Sequence, residues 1–110
     1  MARVDLPGGV TVEPNPPGVG EETVVTYAGK LTAESGSEPI TLIIGYGPKD
    51  KMFGKREVPM QRKGDHYVAS FVVDYSDTLH LAFKDSHGHI DDNEQQYWSM
   101  VTNSNSLTYA

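Results

Sequence analysis

The feature that most limits what this chain can fold into is a series of short runs of β-branched and aromatic residues. Each run is cut off by glycine, proline or Asx residues before a helix could complete three turns. The runs are Val10–Glu13 (VTVE), Thr23–Ala28 (TVVTYA), Ile40–Tyr46 (ITLIIGY), Arg56–Arg62 (REVPMQR), His66–Val73 (HYVASFVV), Thr78–Lys84 (TLHLAFK) and Tyr97–Val101 (YWSMV), with Leu107–Tyr109 as a last short candidate. In Thr78–Lys84, Leu79, Leu81 and Phe83 fall on one side and Thr78, His80 and Lys84 on the other; in His66–Val73, Tyr67, Ala69, Phe71 and Val73 share a side. A period of two is that of a strand with one buried face. Ile40–Tyr46 is apolar on both sides, which marks a central strand, whereas Pro59 marks an edge or a bulge in its own run.

Between the runs lie turn signals. Pro14–Gly20 (PNPPGVG) carries three prolines and two glycines, which no ladder continues through. Met1–Gly9 reads as a frayed lead-in and Lys30–Pro39 as loop. Gly47–Lys55 is a long loop with Met52 and Phe53 at its apolar tip, and Asp85–Gln96 is a longer polar one with Ile90 as its one aliphatic residue. The expected fold is therefore one domain over residues 1–110, an all-β, immunoglobulin-like β-sandwich of about seven or eight antiparallel strands.

A chain of 110 residues can bury a core, on the order of two-thirds of its unfolded surface. The apolar fraction of 37% is lean, but it is clustered at strand spacing, which argues against disorder. With 15 acidic and 9 basic residues the net charge is -6, which disfavours nucleic acid and anionic membranes as partners, because both need a basic face. Neutral partners such as sugars or proteins fit this balance. The chain has no cysteine, which removes disulfides, thiolate nucleophiles and Cys-ligated metals. The start, MARVDLPGG, has no apolar segment after its single Arg, so no signal peptide or membrane span is read there. A cytoplasmic location is expected if Met1 is the native start, and an extracellular one if the domain was cut from a secreted chain.

Catalysis is not expected. Four histidines are present, but no nucleophile motif such as G-x-S-x-G accompanies them, and a small sandwich rarely offers the two-walled cleft that a carboxylate pair needs. His87-Gly88-His89, beside Asp85, Asp91, Asp92 and Glu94, has the residue types of a metal site. The alternating acidic pattern of a Ca²⁺ loop is not met, and such loops turn well without any ion. No metal or other cofactor is expected. Sugar sites on sandwiches need an aromatic platform for the apolar face of a pyranose and short polar side chains for its hydroxyls. Tyr46, Phe53, Tyr97 and Trp98 are the aromatic candidates, with Asp92, Asn93, Gln95 and Gln96 beside them; packing in the core or at an edge is the competing role for Tyr97 and Trp98.

Phe83-Lys84-Asp85-Ser86-His87-Gly88-His89-Ile90-Asp91-Asp92-Asn93, followed by Tyr97, resembles the F-x-D-G-x-G-x-W-D-N-N…Y hallmark of family-25 carbohydrate-binding modules and their starch-binding relatives. Ile40–Tyr46 resembles that family's strand before its first binding loop, and GDHYVASFVVD its G-x-Y-x-A-x-V strand. The resemblance spans roughly Ile40 to Tyr97. It implies an immunoglobulin-like sandwich that binds α-glucans such as starch and glycogen without catalysis, usually as an appendage of an amylase. Ile90 stands where the pattern has its stacking Trp, and Asp92 where it has the first Asn. No His stands in Leu42–Tyr46, where the family commonly has one, and Met52 and Phe53 take the place of a Trp in the following loop.

The resemblance and the residues together imply a polysaccharide-binding domain. Phe53 or Tyr46 is its expected platform, Asp92 and Asn93 bond hydroxyls, and Ile90 is a reduced apolar contact. The alternative is a structural or protein-interaction sandwich that has lost the sugar site and binds other domains or a second copy of itself. That role calls for an exposed apolar patch around Met52, Phe53 and Ile90.

Overall fold

The computed structural model describes residues 4–13, 17–35 and 39–102. They form ten strands: β1 (Val4–Leu6), β2 (Val10–Glu13), β3 (Glu22–Tyr27), β4 (Ile40–Tyr46), β5 (Phe53–Pro59), β6 (Gln61–Lys63), β7 (His66–Val72), β8 (Thr78–Asp85), β9 (Ile90–Asp91) and β10 (Trp98–Val101), with one short helix, α1 (Lys30–Ser35). One sheet has the order β1-β2-β3-β7-β6 and the other β10-β8-β4-β5, with β9 added to β8. Every pairing between these strands is antiparallel. The segments β2-β3-β7-β6 and β10-β8-β4 reproduce the two sheets of an immunoglobulin-type sandwich.

The period-two runs place their apolar sides between the sheets. Val10, Val12, Val25, Tyr27, Tyr67 and Phe71 of the first sheet meet Ile40, Leu42, Ile44, Tyr46, Leu79, Leu81 and Phe83 of the second, all 5% exposed or less. Each such side chain contributes about 1.5–3 kcal/mol on leaving water, which fixes the register, because a slip by one residue would turn every one of them outward. Tyr27 and Phe83 stack across the sheets with ring centroids 4.0 Å apart and planes 18° apart.

Three expectations are corrected here. The lead-in is not frayed throughout: Val4–Leu6 pairs with Val10–Val12. The stretch after β3 is not all loop, since Lys30–Ser35 is helical; six residues are too few to display a 3.6-residue period, and the buried Leu31 (1% exposed) is what docks the turn on the core. The run Arg56–Arg62 is two strands in different sheets. Pro59 ends the edge strand β5, Met60 N–H donates to Ile40 O at 3.0 Å, and β6 then joins β7. Proline cannot donate to a ladder, so the chain leaves one sheet for the other there. Leu107–Tyr109 lies outside the described residues.

Candidate functional site

The outward positions of the second sheet are unlike those of an ordinary wet sheet face. From β4 they are Thr41, Ile43 and Gly45, and from β8 His80, Ala82 and Lys84; Gly45 is the direct partner of His80, and Ile43 of Ala82. Gly45 leaves the space of a side chain empty. A Cβ there would lie 2.8 Å from Met52 Sδ and 3.5 Å from Lys55 Cγ, so both side chains lie over the bare backbone. His80 is 4% exposed. Its Nε2 faces the carbonyl of Gly47, which only accepts, so Nε2–H is the donor; Nδ1 lies 2.7 Å from Ser99 Oγ. The imidazole thereby ties the root of the Gly47–Met52 loop to β8 and β10.

The second wall is the polar loop after β8, and its shape comes from its carboxylates. Asp85, with a fully buried side chain, accepts through Oδ1 from the backbone N–H groups of His87 and His89, each at 2.9 Å, and through Oδ2 faces His89 Nδ1 at 2.8 Å. That closes a tight turn and returns the chain as β9. Ile90 then faces out, 54% exposed, while Asp91 faces in and accepts from the hydroxyl of Tyr27. Beyond β9 the backbone turns with the opposite hand: Asn93, Glu94 and Gln95 have φ of 56°, 56° and 71°, and Tyr97 has 61°. Left-handed conformation costs a non-glycine residue about 1–2 kcal/mol, and such a run persists only where its surroundings hold it. Here Asp92 Oδ1 takes Gln95 N–H at 2.9 Å, Asp92 O takes Tyr97 N–H at 2.8 Å, and Asn93 Nδ2 donates to Tyr97 O at 3.2 Å. The outcome is that the Tyr97 ring stands over the sheet, 5.9 Å from the His80 ring.

Between these walls is a cleft of about 200 Å³ with Ile43 and Ala82 on its floor, Met52 and Lys55 on one side, and Ile90, Asp92 and Tyr97 on the other. A shallower extension runs on past Ile43, Lys55 and Ile90 to Lys84 and Glu57, whose ion pair at 2.9 Å spans β4. A larger trough of about 520 Å³ on the outer face of the first sheet is lined by Val10, Thr11, Val24, Thr26 and His66, among others, but by no Phe, Tyr or Trp among the described residues.

The five expected site residues are not brought together. Ile90 and Asp92 line the cleft. Asn93 does not; its amide holds the carbonyl of Tyr97. Tyr46 cannot be a platform, because it is fully buried; burial also pushes its hydroxyl above the usual tyrosine range. Phe53 is the partner of Tyr46 in the β4–β5 ladder and so shares its side of the sheet, away from the cleft. Met52, one residue earlier, is the tip residue that faces Ile90's side. The apolar patch of Met52, Phe53 and Ile90 is thus split between two faces. Trp98 belongs to the core: it is 4% exposed, its ring meets Phe83 at 5.4 Å, and its Nε1–H donates to Pro7 O at 2.6 Å. Among the described residues no three of His, Asp and Glu gather to hold a metal ion.

His80, Gly45, Ala82 and Lys55 were not singled out as site residues by sequence, whereas Met52 was, as a loop-tip residue. A signal existed for the first three. Alternation puts His80 and Ala82 on the outward side of β8, and a glycine within an otherwise apolar strand often marks close approach of another group. No protein-family model matches this chain, and no curated protein and no solved structure is significantly similar to it.

Proposed function

We propose that this is a non-catalytic glycan-binding domain, that an α-glucan is its first-choice ligand, and that the cleft beneath Tyr97 is the binding surface. The observation that carries the reading is that Tyr97 and Ile90 line one cleft with the apolar Ile43 and Ala82, and that the charged residues Lys55 and Asp92 line it too. A pyranose has an apolar C–H face and an equatorial fringe of hydroxyls, and such a cleft meets both demands. The loop's resemblance to the starch-binding hallmark supports the same reading, as does the outward aim of Ile90, the residue at the hallmark's Trp position. Ile90 offers apolar area without a π face, so modest affinity is expected.

Affinity electrophoresis in soluble starch and in glycogen tests the reading. Wild type should be retarded, Ile90→Asp retarded less, and Ile90→Trp more. The alternative, a protein-interaction sandwich, gains from the 54% exposure of Ile90. It becomes the better reading if neither wild type nor Ile90→Trp is retarded by either polymer.

A further inference from the structure

We propose that a second sugar contact exists on the opposite face of the same sheet, at the corner made by Phe53 and Tyr75. The two rings are 40% and 43% exposed. Their centroids are 5.0 Å apart and their planes 81° apart, with Tyr46 packed beneath both at 6.2 and 5.0 Å. Each ring packs closely on one side. Gly47 and Gly54, at φ of +92° and +63°, lie under them as bare backbone; a Cβ on Gly47 would stand 2.7 Å from the Phe53 ring, and one on Gly54 2.5 Å from the Tyr75 ring.

A polar pair adjoins the corner. The guanidinium of Arg56 lies 3.5 Å from the carboxylate of Asp74, the residue before Tyr75, with each side chain less than half exposed. Arg56 also donates to Val72 O at 2.9 Å, which holds the guanidinium in place. Two perpendicular ring faces beside a fixed donor and a fixed acceptor suit a pyranose, whose C–H face stacks while neighbouring hydroxyls bond outward. A partner strand is a poorer occupant. β5 is an edge, but the glycine at positive φ, the register shift between Ile44 and Tyr46, and Pro59 all break the regular row of donors that strand addition needs. The choice of sugar as ligand rests on the glycan reading of the cleft. With both surfaces in use, one domain engages two segments of a branched polymer and gains avidity without any new contact.

Amide chemical shifts of the ¹⁵N-labelled chain, followed while maltohexaose is added, separate the two surfaces. The expected result is two groups of shifts: Gly54 and Tyr75 at the corner, Ala82 and Ile90 at the cleft. Tyr75→Ala should weaken the corner response by about tenfold and leave the cleft response as it was, which also shows that the variant is folded. Ile90→Asp should do the reverse. Shifts confined to the cleft in wild type would overturn the corner and leave the cleft standing. Shifts confined to the corner would sink the cleft reading and keep the corner, and no shifts at either would remove both.

Discussion

The hydroxyl of Tyr27 donates to the carboxylate of Asp91, 64 residues further along the chain and in the other sheet. The bond joins the middle of the first sheet to the loop that carries Ile90 and Asp92. The same hydroxyl accepts Leu31 N–H at 3.2 Å, so α1 is fastened to the same point. The cleft wall is therefore built on the core.

Tyr27→Phe tests that link. The ring keeps its stack on Phe83, while Asp91, 5% exposed, loses a buried donor. Hydrogen bonds to charged groups contribute about 1.5–3 kcal/mol, so urea unfolding should show a loss of about 2 kcal/mol. On the glycan reading proposed above, glucan retardation should fall as well, since the wall loses its anchor. A stability change near zero would mean that the loop is held by its own turn alone.

The left-handed turn predicts a gain. Glu94 sits at φ 56° in the middle of it and is exposed. Glycine visits this region freely, so Glu94→Gly should relieve about 1 kcal/mol of strain, offset in part by the greater freedom of glycine in the unfolded chain. Thermal melts should show an unchanged or raised midpoint, where the same substitution at an ordinary exposed position lowers it. A clear drop would contradict the backbone conformation of the turn.

Tyr46 predicts a response to alkali. Burial raises its hydroxyl above the ordinary 10.0, with Asp74's charge adding to the rise and Asp74's N–H and Arg56 opposing it. Below that value both folded and unfolded chains hold the proton. Above it the unfolded tyrosine ionises first, so the unfolded state binds fewer protons and stability falls as pH rises toward the raised value. Denaturant midpoints measured from about pH 9 to about pH 11 should therefore decline less steeply in Tyr46→Phe than in wild type. Tyr27 is unchanged in the variant, so the difference between the two slopes belongs to Tyr46; equal slopes would show that the hydroxyl is not held from water.

The hallmark-like loop divides in an instructive way. Asp85 and Asp91, which match the starch-binding pattern, are buried and hold the loop to itself and to Tyr27. Ile90 and Asp92, which depart from it, face the cleft. In this chain Asp85 and Asp91 shape the wall, while the cleft is lined both by the departing residues Ile90 and Asp92 and by the matching Tyr97.

The sandwich was determined by the sequence itself. Period-two alternation in runs such as Thr78–Lys84 and His66–Val73 admits one buried face, and burial of that face outweighs every local alternative. The same alternation assigns Ile43, His80 and Ala82 to the outward side before any contact is known. Which outward residues meet was decided by tertiary structure. Met52 and Phe53, as neighbours in an extended segment, point to opposite faces, but it is the β4–β5 pairing, with its register shift, that puts Met52 over Gly45 on the cleft side and Phe53 beside Tyr46 on the other. Tyr97 gains its place from a left-handed turn fixed by Asp92 and Asn93. Neither a ladder shift nor a run of positive φ leaves a periodic trace in a sequence, since both are set by hydrogen bonds to groups brought close only when the sheets close.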